Sequence, residues 1–251
     1  MKLPSSFDII GNIAILSEKT KDGKKVAMAL LKNFKNIKTV AVKTGIHYGR
    51  FRLQKTKILA GKKTKTTLHK ENNCIFKLNI DQTYFSPRLG SERLRIAKLV
   101  KKNENVLVMF SGIAIYCIEI AKLSKAMEVF GVEINPAAHK FAQENVKLNN
   151  ISNIKLFLGD VEKVLPKIKK SFDRVIMPLP GDAESYLDIA VKKIKKGGII
   201  HFYDFQREED IPDKSIEKIR KHCNPKILNI VKVGQYSPGK FRICVDFSVL
   251  K

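Results

Sequence analysis

The chain contains no stretch of about 18 consecutive apolar residues, so no transmembrane helix is expected. Met1 to Ile10 has no long apolar run behind a basic segment, and the start does not read as a secretory signal. Cysteines are few: Cys74, Cys117, Cys223 and Cys244 are widely spaced, in neither a CxxC nor a cysteine–histidine cluster. Neither a disulfide framework nor a structural metal is therefore expected. Acids are scarce as well. Asp plus Glu total 24 against 48 Lys plus Arg, a formal net charge of +24. Thermal adaptation enriches both signs together. An excess of one sign points instead to a polyanionic partner, whose encounter such a field accelerates. The expectation is a soluble, cytoplasmic protein that meets nucleic acid and no membrane. With 44% hydrophobic residues, 251 residues can hold one substantial α/β core and a smaller accessory domain.

Residues 1–83 read as a small α+β domain. Phe7 to Leu16 is apolar around Gly11-Asn12, and Gly23 to Phe34 has a helical period through Val26, Leu30 and Leu31. Short strands follow at Val40–Lys43, Phe51–Leu59, Thr64–Leu68 and Cys74–Ile80, separated by turn residues. From His47 to Lys70 there are eight lysines or arginines and no acid. A solvated hairpin would explain that run. So would a phosphate-contacting surface made of Arg50, Lys55, Lys57, Lys62, Lys63 and Lys65, since clustered cations displace condensed counterions. Residues 84–104 are a connector with a helix over Leu89–Val100. Residues 105–251 then alternate strand and helix, ending in helix, strand, strand, with a hairpin through Gln235 to Lys240. The strands are continuously apolar, as parallel strands covered on both faces are. The fold class expected is α/β, a doubly wound, mostly parallel seven-stranded sheet.

Such sheets bind ligands beyond the carboxyl ends of their strands, where the strand order reverses. After the first strand of this domain comes Phe110-Ser111-Gly112-Ile113-Ala114, a small-residue turn that lets a ligand approach backbone N–H groups. It lacks the second glycine of GxG and is a weak signal. After the second comes Glu133-Ile134-Asn135, a carboxylate placed to accept from two ribose hydroxyls. After the third, Asp160 could accept from an adenine amine, and after the fourth Met177-Pro178-Leu179-Pro180 is a stiff wall for the reacting end. Two carboxylates in this place would repel phosphates, so the cofactor expected has ribose and adenine without them.

These residues and several others resemble the tRNA (guanine-N1)-methyltransferases of archaea and eukaryotes, which act on the base 3′ of the anticodon, position 37. The resemblance runs from about Ser6 to the C-terminus on Phe7-Asp8-Ile9-Ile10-Gly11, His69-Lys70-Glu71-Asn72-Asn73, Tyr84-Phe85-Ser86-Pro87-Arg88, Glu92-Arg93, Glu133-Ile134-Asn135-Pro136, Leu148-Asn149, Leu179-Pro180 and Gly197-Gly198 before His201. The Tyr84–Arg93 segment is the most specific of them. Enzymes of the wyosine pathway, which transfer a methyl or an aminocarboxypropyl group, share many of these marks. The resemblance implies S-adenosylmethionine as cofactor, held by Phe85, Arg88, Phe110, Gly112, Glu133, Ile134, Asp160 and Pro180. It implies tRNA as partner and a base held between two domains, with Glu92 as general base, Arg52 facing O6, Arg93 supporting Glu92 and Tyr84 lining the site. Relatives carry a further N-terminal domain that reads the tRNA elbow; this chain begins at the second domain, and that aid is expected to be missing. The protein is expected to be a monomer.

Methyl transfer to N1 needs a carboxylate within about 3 Å to take the proton, and an arginine where negative charge develops on O6. The bland alternative for Glu92 is a helix-surface pair with Arg88. Three positions depart from the family pattern: Val108 stands for an acid, Ala114 for a glycine and Pro178 for an asparagine. Val108 and Ala114 are expected to touch the methionine end of the cofactor. The departures keep two alternatives alive, a wyosine-pathway transferase and a non-catalytic tRNA-binding protein on the same scaffold.

Overall fold

The computed structural model describes residues 7–45 and 48–250. Residues 1–6 of the small domain and His47 of the basic run lie outside them. Strands β1 (Asp8–Ile10) and β2 (Ile13–Leu16) pair through a tight turn. Gly11 there has φ +56°, and a Cβ would stand 2.2 Å from Thr67 Oγ1 and 2.3 Å from the Leu68 carbonyl oxygen. No other residue fits. Helix α1 (Gly23–Asn33) crosses to β3 (Thr39–Lys43), parallel to β2, and β4 (Thr56–Gly61) closes a sheet ordered β1-β2-β3-β4. Val26, Ala27 and Leu30 of α1 bury against Ala14, Leu16 and Val40. The strand expected from Phe51 begins only at Thr56. Tyr48 and Leu53 exchange both backbone hydrogen bonds, at 2.9 and 3.1 Å, and fold residues 49–52 into a hairpin tip.

A separate hairpin, β5 (Thr66–Glu71) and β6 (Cys74–Asn79), leads through a 3-10 turn at Pro87–Leu89 into α2 (Gly90–Leu99). The second domain then runs β7 (Asn105–Met109), α3 (Ile115–Leu123), β8 (Glu128–Glu133), α4 (Pro136–Leu148), β9 (Ile154–Leu158), α5 (Val161–Val164), β10 (Phe172–Met177), α6 (Leu187–Lys193), β11 (Ile194–Arg207), α7 (Asp213–Arg220), β12 (Pro225–Ser237) and β13 (Lys240–Val249). As expected, the sheet has seven strands. Their order is β12-β13-β11-β10-β7-β8-β9, with β13 antiparallel to both neighbours and the other pairings parallel. Every residue of β7 is buried, which is why its sequence shows no alternation. Asn135 accepts from the Ala137 N–H at 3.0 Å and Pro136 opens α4, the cap and first-turn proline read from the sequence. Strands β11 and β12 are long because their antiparallel partner β13 lets the ladder continue beyond the layer.

The hairpin β5–β6 is tied to α4 by two asparagines one turn apart. Asn145 accepts from the Lys77 N–H at 2.6 Å and donates to its carbonyl at 3.1 Å. Asn149 does the same to Ile75, at 2.9 and 2.7 Å. The two side chains satisfy alternate residues of the free edge of β6 as a further strand would. Among the described residues no helix is long and apolar enough to cross a membrane.

Candidate functional site

Strand order reverses between β7 and β10, and a cavity of about 250 Å³ opens at their carboxyl ends. Its floor is the loop after β7, where Phe110, Gly112 and Ala114 have φ of 55°, 57° and 65°. These left-handed residues turn the chain sharply enough to aim the Gly112 N–H at Glu133 Oε2, 2.7 Å away. Glu133 Oε1 accepts from the Asn135 N–H, also at 2.7 Å. Burial pushes the Glu133 carboxyl up, while the N–H groups of Asn135, Gly112 and Ile134 pull against it. Each oxygen keeps a lone-pair direction for a further donor. Ile134, Val132, Ala138, Val161 and Tyr186 supply apolar walls. Asp160 caps α5 by accepting from the Glu162 N–H at 2.9 Å. This set, one buried carboxylate with spare acceptor capacity beside an apolar slot, fits ribose and adenine.

The hairpin tip, residues 49–52, roofs this cavity. Arg50 donates to Asp160, and Arg52 donates to the Pro180 carbonyl at 3.0 Å and to Asp182 Oδ2 at 2.6 Å. Burial alone would raise the Asp160 carboxyl, but the Glu162 N–H and the Arg50 guanidinium outweigh it and hold it below the ordinary range. Arg52 has φ +51°, a conformation a non-glycine residue adopts only under local constraint. A second cavity, of about 460 Å³, lies between the small sheet, residues 83–89 and the far ends of β11 to β13. Arg52 and Tyr84 line both cavities. The Tyr84 hydroxyl accepts from Arg242 at 3.2 Å.

Of the residues expected at the cofactor, Phe110, Gly112, Glu133, Ile134, Asp160 and Pro180 line the first cavity, with Pro178. Phe85 and Arg88 do not. They line the second, Phe85 edge-on to His69 with ring centroids 4.9 Å apart and Arg88 paired to Asp8 at 2.9 Å. Val108 and Ala114 are fully buried among Ile113, Tyr203 and Cys244 and touch neither cavity. Neither therefore lines a wall where the expected contact with the methionine end would be made. Glu92 is not on the wall of either cavity. Its side chain is 4% exposed and accepts from Arg95 Nε at 2.7 Å, Arg95 Nη2 at 2.8 Å and the Tyr203 hydroxyl at 2.5 Å. Arg95 passes on to Asp246, at 2.6 Å, and Asp246 to His201, also at 2.6 Å. The alternative of a helix-surface pair with Arg88 gives way to this buried network. Arg93 reaches Glu71, at 2.6 and 2.7 Å, and the Ser86 carbonyl at 3.1 Å, so it braces the 84–90 segment.

The basic run divides in two. Lys55, Lys57, Lys62 and Lys63 are exposed. Lys65 is taken up by Asp81 at 2.5 Å and the Thr56 carbonyl at 2.6 Å, and Arg50 by Asp160, so neither is a free cation of the surface. His201, Cys244 and Asp246 lie within 4.8 Å of one another, a spacing that could hold a metal ion. The guanidiniums of Arg95 and Arg174 already occupy Asp246 and His201, Arg174 at 2.7 Å from Nε2, and a cation would have to displace both. Sequence reasoning misses Asp182, Phe205, Tyr236 and Arg242 at the cavity mouths. Asp182 closely follows the Leu179-Pro180 mark and could have been suspected; the others lie on long strands that give no local signal.

Residues 67–231 match the model of the TRM5/TYW2 methyltransferase domain, and residues 1–64 that of the TYW2 N-terminal domain. The tRNA (guanine(37)-N(1))-methyltransferase Trm5b of Pyrococcus abyssi is 38% identical over 255 aligned residues, which cover 98% of this chain and 76% of that one. The tRNA (guanine(37)-N(1))/4-demethylwyosine(37)-methyltransferase Taw22 of Nanoarchaeum equitans is 32% identical, covering 92% and 97%. The crystal structure of Methanocaldococcus jannaschii Trm5 in complex with adenosine superimposes with a TM-score of 0.85 at 31% identity, over 99% of this chain and 75% of that one.

Proposed function

This chain belongs to the TRM5/TYW2 methyltransferase family, and from that premise we propose how its residues divide the work. It is an S-adenosylmethionine-dependent tRNA methyltransferase, and its reaction is methyl transfer to N1 of guanosine 37. The cofactor supplies an electrophilic methyl group on a sulfonium. Glu133 holds its ribose, and Asp160, Ile134 and Phe110 its adenine. The observation that carries the arrangement is that Arg52 and Tyr84 line both cavities. A base entering from the larger one meets the cofactor cavity between those two side chains.

There Arg52 faces O6, where negative charge grows as N1 loses its proton. Asp182, 2.6 Å from Arg52 and on the cofactor cavity's wall, takes that proton. Glu92, locked by Arg95 and Tyr203, ties α2 to β11 from below, and Arg93 holds the Tyr84–Arg88 segment through the Ser86 carbonyl. Single-turnover assays on unmodified tRNA transcript, with mass spectrometry of the product nucleoside, test the assignment. Arg52→Ala and Asp182→Asn should each slow the chemical step about 100-fold with tRNA affinity nearly kept. Glu92→Gln should slow it far less, in proportion to its loss of thermal stability. If Glu92→Gln alone abolishes the step in a stably folded protein, Glu92 is the base and Asp182 only holds Arg52.

One observation favours a second reading. Pro178 lines the cavity where an amide side chain could read a guanine edge, and it offers neither donor nor acceptor. A site that reads this edge weakly would also take a tricyclic base at position 37. The same assay on tRNA carrying 4-demethylwyosine decides it.

A further inference from the structure

The far rim of the larger cavity carries groups that methyl transfer does not use. Strand β12 is bulged against β13 between Lys232 and Gly234 and again between Gln235 and Ser237. Each bulge inserts one extra residue, Val233 and Tyr236, and both of these line the cavity. A bulge re-aims the side chain it carries. Tyr236 is turned over Phe205, with ring centroids 4.1 Å apart and 36° between planes, yet remains 61% exposed. Phe205 is also approached by Arg242 at 5.3 Å and Lys240 at 6.0 Å. The other cations of the cavity wall are neutralised: Lys43 and Arg88 pair with Asp8, and Arg52 with Asp182. Arg242 has no carboxylate partner among the described residues, and its buried Nε–H has no acceptor.

We propose that Tyr236 is a stacking platform for an unpaired nucleobase next to the one methylated, and that Arg242 binds that nucleotide's phosphate. The inference rests on the reading that the target base enters through this cavity. An aromatic ring tilted out of a sheet edge, backed by a second ring and flanked by unneutralised cations, is how proteins hold single-stranded nucleotides without reading their sequence. A free anion would use the cations and ignore Tyr236, and an apolar partner the reverse; a nucleotide uses both.

The test uses the whole protein and an anticodon stem-loop RNA, with abasic nucleotides placed on either side of the target in turn. Binding of wild type should weaken about 10-fold with one of these abasic RNAs. Tyr236→Ala should bind the intact RNA about 10-fold more weakly and lose its sensitivity to that abasic site, whereas Tyr236→Phe should behave as wild type. Methylation of the intact stem-loop by wild type checks the underlying reading separately. If Tyr236→Ala binds as wild type does, or stays as sensitive to the abasic site, the platform is refuted even where methylation proceeds. If neither abasic RNA binds more weakly, the ring touches no neighbouring base and the proposal fails.

Discussion

Glu119 has no exposed surface, yet it sits among charges. Asn72 donates to it at 2.8 Å, Arg93 lies 3.6 Å away, and Glu71 shares the same guanidinium. Burial pushes the Glu119 carboxyl up to about 8. Burial would raise Glu71 as well, but His69 and Arg93 outweigh it and hold it near about 2. Two carboxylates around one arginine thus keep a single negative charge. The consequences for stability have opposite signs. Glu71 contributes stability above its unfolded value, and that contribution fades only in acid. Glu119 is neutral in the fold at a pH where the unfolded chain has released the proton. Its contribution is complete below about pH 4.5 and is lost as pH rises toward about 8. Urea unfolding at about pH 6 and about pH 9 should show wild type weaker at the higher pH, with a slope of up to ~1.4 kcal/mol per unit inside that window. Glu119→Gln keeps an acceptor for Asn72 and cannot ionise, so its stability should be flatter. Parallel profiles for the two proteins would place the alkaline loss elsewhere.

Among the elements, the hairpin β5–β6 depends most on side chains outside it. Asn149→Ala would leave the Ile75 N–H and carbonyl without partners at a half-covered edge, costing ~2–3 kcal/mol. A lower urea midpoint with an unchanged slope, together with faster hydrogen exchange at Ile75, is the expected outcome. An unchanged Ile75 amide would mean that β6 is held by its apolar face alone. Nothing local in the sequence announces this dependence, and the same holds for the site. The strands β7 and β8 were legible because burial on both faces writes Val106–Met109 and Val129–Val132 as unbroken apolar runs. Glu133 and Asp160 were legible because topology alone puts strand ends at the reversal of order. The tip at 49–52 was not, since its bend rests on Tyr48 pairing with Leu53 and its anchors, Asp160 and Asp182, lie over a hundred residues away. Glu92 looked available because its distant partner Tyr203, and the Asp246 that holds its neighbour Arg95, come from strands whose register a helix pattern cannot reveal.

For the whole molecule, a charge of +24 does not mean that every cation faces RNA. Around the cavities the basic side chains are largely spent on the protein itself: Arg50 on Asp160, Arg52 on Asp182, Arg88 on Asp8 and Lys65 on Asp81. The first two tie the hairpin tip to the cavity wall, and a phosphate would have to break any of these pairs to use its cation. The exposed lysines of β4 and the turn after it, Lys57, Lys62 and Lys63, carry no carboxylate partner among the described residues. Only cations of that kind release counterions from RNA without a compensating loss inside the protein. Replacing all three by alanine should therefore flatten the dependence of log K for tRNA on log salt by ~0.7–0.9 for each phosphate that no longer meets a lysine. Lys65→Ala should leave that slope alone and lower the melting temperature instead, because Asp81 and the Thr56 carbonyl lose their donor. Binding measured over a salt series separates the two kinds of lysine. An unchanged slope in the triple variant would shift the footprint off this edge of the small sheet and onto the β12–β13 end, where Lys240 and Arg242 stand beside the half-buried ring of Phe205.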